Sequence, residues 1–275
     1  MPTPAAAARG GMFKQLRIVF LLLVLLLVSV TTCQQRYLST RWREPLFVAI
    51  YPIAADDSAA TLGYVAGLDA ERFRPIDRFF EREARRYGLG LQEPLKTRLR
   101  PAHEELPPQR SADAGALKTA AWSLRLRYWA WRMSRHTRDP EDIRIFVLYH
   151  DPDRTPVVAH SLGLTKGLLG VVHAFAAHTM DGTNNVVIAH ELLHTLGATD
   201  KYDPVDDMPL FTAGYGDPHQ EPLYPQSYAE LMAGRRMLSA TQLQEPASLD
   251  EVVIGPITAL EIHWPRDALR PPPRP

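Results

Sequence analysis

The sequence predicts an α/β (α+β) fold, a mixed twisted sheet covered by helices, and three observations carry that reading. Residues 46–53 (Leu-Phe-Val-Ala-Ile-Tyr-Pro-Ile) and 143–149 (Ile-Arg-Ile-Phe-Val-Leu-Tyr) have the length and apolar content of strands buried on both faces. Between them Ile76, Phe79, Phe80, Ala84 and Tyr87 recur at helical spacing up to a stop at Gly88. A third stretch, 186–196, has an apolar side formed by Val186, Val187, Leu193 and Leu196 and carries imidazole and carboxylate groups elsewhere. With 275 residues, 45% of them hydrophobic, the chain can hold one sizeable domain with a real core. Lys and Arg (31) balance Asp and Glu (31), which argues against a nucleic-acid partner.

From the N-terminus, Arg9, Lys14 and Arg17 precede an apolar run over 18–30. Residues 1–35 therefore read as a signal sequence or an N-terminal membrane anchor, with the basic flank on the cytoplasmic side. Cys33, the single cysteine, excludes an intramolecular disulfide, and its position resembles the lipidated cysteine of bacterial lipoproteins. Cleavage, retention and lipidation all export the remainder of the chain to the periplasmic or extracellular side. Residues 36–266 show no repeat or composition break and read as one domain, and 267–275 as a proline-rich disordered tail.

Within that domain the first strand is followed by a small, polar loop over 56–67 and by the helix ending at Gly88, whose Arg78, Arg82 and Arg86 read as a solvated face. A second strand is expected over 95–99 and a loop at 106–108. The helix over 117–133 has two apolar stripes, one with Leu117, Leu124, Tyr128 and Trp131, the other with Trp122, Leu126, Trp129 and Met133. So broad a surface is expected to be buried; its arginines also admit a helix lying on an anionic membrane. Strands over 143–149, 157–161 and 170–176 come next, then a turn and cap at 181–184. Residues 201–226 read as a long irregular loop, 228–237 as a turn plus a short helix, and 249–264 as containing a final helix with Ile257, Leu260 and Ile262 inward.

The chemistry concentrates at His190, Glu191 and His194, in the order His-Glu-x-x-His. Four residues apart on a helix, the two imidazoles share one face and can share a zinc ion, leaving Glu191 to take a proton from a zinc-bound water. Gly197 stands seven positions beyond His190 and Asp200 ten. Glycine suits a left-handed helix end, and the reversal would let Asp200 reach the same metal.

The pattern His-Glu-x-x-His-x-x-Gly-x-x-Asp resembles the metzincin metalloproteases, where the last position is usually histidine and in the snapalysin type aspartate. The resemblance implies a zincin fold with an active-site helix and a small irregular C-terminal subdomain, zinc held by His190, His194 and Asp200, and Gly197 as the turn delivering the third ligand. It also implies a methionine turn beneath the metal, with Met232 in 230–234 as its counterpart, and strand 170–176 as the edge that binds substrate backbone. Helix 117–133 has no place in the simplest metzincin plan.

Tyr202 and Tyr228 are candidates to help hold the oxyanion. Asp203, Asp206 and Asp207 could bind calcium or form an acidic solvated loop, Glu230 or Glu261 could replace Asp200 as ligand, and His173 and His178 could line the cleft. The expected activity is that of a zinc-dependent peptidase acting on a protein or peptide outside the cytoplasm. The alternatives are an inactive membrane-tethered binding or scaffolding protein and a zinc amidase acting on cell-wall peptides.

Overall fold

The computed structural model describes residues 17–19, 22–23, 41–109, 115–135, 139–164 and 168–265. The chain divides into two compact units, Met1–Leu38 and Ser39–Pro275, and the strands all belong to the second. Most of the apolar run, Cys33 and the tail over 267–275 lie outside the described residues. Among those described, no helix is long and apolar enough to cross a membrane.

The protein is mixed α/β. Its five-stranded sheet comprises β1 (Leu46–Ala54), β2 (Leu95–Leu99), β3 (Ile143–His150), β4 (Leu162–Leu164) and β5 (Leu169–Phe175) in the order β2-β1-β3-β5-β4. Every pairing is parallel except that of β4 with β5. Successive side chains on a strand point to opposite faces. Val48 and Ile50 of β1 thus enter one core and Ala49, Tyr51 and Ile53 the other, which is why the strand reads as an unbroken apolar run.

Four helices pack on this sheet: α1 (Ala59–Ala66), α2 (Arg74–Arg86), α3 (Ala116–Ser134) and α4 (Asp181–Leu196). Three of them, α1, α2 and α4, contribute to the larger core, while α3 covers the other face, where Trp129 packs on Phe146 with ring centroids 4.5 Å apart. Only the Leu126 and Trp129 stripe of α3 is buried; Leu117, Leu124, Tyr128 and Trp131 are exposed.

Several expectations are corrected. The loop over 56–67 contains α1: Ser58 caps it, its Oγ accepting from the Thr61 N–H at 3.0 Å, and Tyr64 and Val65 are the buried stripe that a small, polar sequence hid. Arg82 and Arg86 are not a solvated face. Arg82 donates to the carbonyls of Leu249 (3.0 Å) and Val252 (2.7 Å), and Arg86 pairs with buried Glu83 at 2.7 Å, tying α2 to the C-terminal segment.

Residues 157–161 are irregular, and the strand lies just beyond them as β4. Register follows burial: Leu162 and Leu164 pack toward α3, whereas Val157 is exposed. With β4 outside it, β5 is an interior strand and not the edge. Residues 181–184 are the first turn of α4 rather than a turn before it.

Beyond α4 the chain is irregular but not separate. The short strands β6 (Ala229–Glu230), β7 (Arg236–Met237), β8 (Leu243–Gln244) and β9 (Val252–Val253) and the final helix α5 (Pro256–Glu261) complete it, with β6 pairing with β9 and β7 with β8. No helix forms over 228–237. In α5, Thr258 and Ala259 face inward while Ile257 and Leu260 are exposed, because the helix is anchored through Thr258; Ile262, just past its end, is buried. Leu231, Met232, Ile254 and Trp264 join the same core as α4, so this segment is fixed against the helix that carries the motif.

Candidate metal centre

The start of α4 is pinned to the end of β5. The Asn184 side chain accepts from the Phe175 N–H (3.1 Å) and donates to the Phe175 carbonyl (2.9 Å). Asp181, in the first turn where a negative charge suits the helix dipole, accepts from the Tyr64 hydroxyl and pairs with Arg72 at 2.6 Å. Further along, His190 and His194 project from one face with their Nε2 atoms 3.1 Å apart. Gly197 ends the helix in the left-handed region (φ 107°), the Ala198 N–H returns to the Leu193 carbonyl (3.0 Å), and the chain doubles back. That reversal brings Asp200 Oδ1 to 3.2 Å from His190 Nε2 and 3.1 Å from His194 Nε2.

The outer nitrogens decide what these inner atoms are. Each Nδ1 lies 2.9 Å from a backbone carbonyl, Leu231 for His190 and Ala198 for His194. A carbonyl can only accept, so each Nδ1 carries the proton and each neutral ring turns a bare Nε2 lone pair inward. Two lone pairs and a carboxylate oxygen within 3.1–3.2 Å of one another repel unless a cation or a proton lies among them. Zinc bonds of ~2.0–2.1 Å in a tetrahedron space their ligands by roughly 3.4 Å, so these three atoms fit such an ion after opening by a few tenths of an ångström.

The titration behaviour follows from the same crowding. Burial would raise the Asp200 carboxyl, but the two histidines, once an inner nitrogen carries a proton, hold it well below the usual carboxylate range. Burial disfavours charge on His194, yet Asp200, the Ala198 carbonyl and Glu191 outweigh it and raise the ring above its ordinary value.

Glu191 lies next to this cluster, and its ligand atoms and those of the two histidines all fall within 4.8 Å of one another. Glu191 is buried, and among the described residues its Oε2 has no hydrogen-bond partner. Burial raises its pKa despite the opposing histidines. The approach of β4 explains the burial. A Cβ at Gly163 would stand 2.5 Å from both the Glu191 carbonyl oxygen and His194 Cβ, and 3.2 Å from Glu191 Oε2, so only glycine lets the strand close on the helix. A cleft of about 370 Å³ opens beside these groups, with Ser161, Val187, Tyr202 and Gly234 among its walls.

Beneath His190 lies the turn over 231–233. Met232 is fully buried there, and the turn is held by Glu230, whose Oε2 accepts from the N–H groups of Met232 (2.6 Å) and Ala233 (3.0 Å). Its Oε1 accepts from the Gly255 N–H (3.0 Å) and the Thr258 hydroxyl (2.7 Å). This carboxylate is thereby spent on the backbone and does not face the histidines. Glu261 is likewise engaged, by Thr199 and by Lys201 at 2.8 Å. Of the acidic residues weighed as third ligand, Asp200 is the one that meets both rings.

Tyr202 lines the cleft; Tyr228 does not, being packed against Gly216. Asp203 and Asp206 cap local turns, accepting from the N–H groups of Val205 (2.8 Å) and Met208 (3.0 Å), and Asp207 faces Arg235 at 3.5 Å, so the three do not converge. His178 sits with Arg72 and Asp181, away from the cluster. His173 does line the cleft, its Nδ1 2.9 Å from His150 Nε2.

No family model and no curated protein matches this chain. Four contributors to the site escape a reading of the sequence: Gly163, the Leu231 carbonyl, Glu230 as a clamp, and His150. Each acts through a contact between segments distant in the chain, and none carries a local signal.

Proposed function

We propose that this protein is a zinc-dependent peptidase of the zincin type, resembling the metzincins in its His-Glu-x-x-His-x-x-Gly-x-x-Asp pattern and acting on a protein or peptide outside the cytoplasm. The observation that carries the reading is the meeting of His190 Nε2, His194 Nε2 and Asp200 Oδ1 within 3.1–3.2 Å beside buried Glu191, whose Oε2 has no hydrogen-bond partner among the described residues. His190, His194 and Asp200 are the residues that would hold zinc, which when bound supplies Lewis acidity toward a carbonyl and acidifies a water.

The chain's own groups supply the rest. Glu191, its carboxyl raised by burial, accepts the proton of the attacking water at Oε2 and passes it to the departing amine. The carbonyls of Leu231 and Ala198 keep the two rings in one tautomer and orientation. Tyr202, on the cleft wall, would be the donor to the developing oxyanion. The outer edge of β4, beside Glu191, suits an extended peptide added as a further strand. Export rests on Arg9, Lys14 and Arg17 ahead of the apolar run.

The test is metal analysis of the purified protein together with hydrolysis of casein. Stoichiometric zinc, and cleavage abolished in Glu191→Ala with zinc retained, is the expected result. Cleavage undiminished in that variant would overturn the mechanism, and zinc retained in full by His190→Ala would overturn the site.

A further inference from the structure

A second cavity, of about 470 Å³, adjoins the candidate metal cleft on the α3 side of the sheet. Protein interiors pack with few voids larger than a water, so a space of this size falls in the ~300–1,000 Å³ range of ligand sites rather than of packing defects. Its walls are largely apolar: Trp122 and Leu126 of α3, Leu148 and Val171 of the sheet, Leu162 of β4 and Leu106 of the preceding loop. Among the described residues, none that lines it is Asp, Glu, Lys or Arg.

The two spaces share one wall, made by Ala159, His160, Ser161 and His173. At that wall His173 meets His150 at 2.9 Å, and Ser161 Oγ accepts from the His173 N–H at 3.0 Å. Burial lowers both rings of the pair, His173 to about 4, which disfavours charge on these two imidazoles. A ligand held here is apolar along its length, neutral where it reaches the histidines, and continuous with whatever occupies the metal cleft. The volume exceeds what one amino-acid side chain fills, which favours a long aliphatic chain.

The helix that walls the cavity also shows where such a ligand comes from. The outer face of α3 exposes Leu117, Leu124, Tyr128 and Trp131, and the helix carries Lys118, Arg125, Arg127 and Arg132 with no acidic residue. That composition suits the surface of an anionic bilayer.

We propose that this cavity binds the acyl chain of a lipid-modified peptide whose scissile amide lies in the metal cleft. The inference names a substrate class for the peptidase reading and rests on it, but acyl binding can be read without catalysis. The experiment uses the full-length Glu191→Ala protein in neutral detergent and a peptide carrying a palmitoyl chain with a diazirine near its end. After irradiation, the labelled residues are mapped by mass spectrometry against an unacylated diazirine peptide. Labelling is expected at the segments around Trp122 and Leu148, and it should fall about tenfold in Ala159→Trp, which fills the junction, and in Leu126→Trp, which fills the interior. Labelling of these segments no stronger than by the unacylated peptide overturns the proposal, as does undiminished labelling in Ala159→Trp, an exposed position whose substitution spares the core. Failure of casein cleavage with the acyl labelling intact would instead count against the peptidase reading alone.

Discussion

Two pairs of histidines sit within the same part of the molecule and behave in opposite ways. His190 and His194 lie one turn apart on α4, face Asp200, and His194 is raised. His150 and His173 lie on the neighbouring strands β3 and β5, 2.9 Å apart, face an apolar cavity, and both are lowered. The nitrogen spacing is nearly the same. What differs is the third group: Asp200, in contact with both rings, makes the first cluster a place for positive charge, whereas in the second burial outweighs the more distant pull of Asp56 on His150. An imidazole pair is thus a cation site or a neutral hydrogen-bonding surface according to what faces it.

The sharpest way to break this contrast is to remove its elements in turn. His190→Ala or His194→Ala is expected to abolish zinc binding and hydrolysis, whereas His150→Ala keeps the metal, as metal analysis of the variants checks. Glu191→Ala should lower kcat by about 10²–10⁴-fold with zinc retained, the range expected for loss of a general base. Asp200→Ala should weaken zinc binding strongly. A competition titration with a chelator measures the effect.

Smaller effects test how the clusters are supported. Gly163→Ala drives a methyl group into Glu191 and His194, and overpacking of that kind costs about 1–3 kcal/mol. Stability in urea and activity should fall together. The pH dependence of the zinc-free protein tests the second pair. His173 is lowered from 6.5 to about 4, so the native state holds fewer protons than the unfolded one. Its contribution to stability is full above pH 6.5 and is lost as the pH falls through 4. For this half-buried ring the loss is on the order of 1 kcal/mol, allowing for solvent screening, and His173→Asn should flatten the unfolding profile over that interval. The raised His194 has the opposite sign, its stabilisation being present below 6.5 and lost as the pH rises through its folded pKa.

The same comparison explains what could be read from the sequence. His190, Glu191 and His194 are legible because a helix converts a four-residue spacing into a shared face, and Gly197 because one backbone conformation selects glycine. His150 and His173, 23 positions apart, are brought together by strand register, which no local pattern encodes. The strands over 46–53 and 143–149 announce themselves by unbroken apolar runs. By contrast, β4 has three residues, and α1 hides its buried stripe among small and polar neighbours. Arg82 and Arg86 look like surface because the carbonyls of Leu249, Val252 and Ile254 that satisfy them are supplied by tertiary contact.

Glu230 has a bearing on when the protein becomes competent. Its carboxylate joins the turn that orients His190 to Gly255 and Thr258, residues that leave the ribosome well after the helix bearing the histidines. A chain ending before Gly255 therefore carries the whole His-Glu-x-x-His sequence but only two of the four donors that fix Glu230 and, through it, the turn behind the first ring.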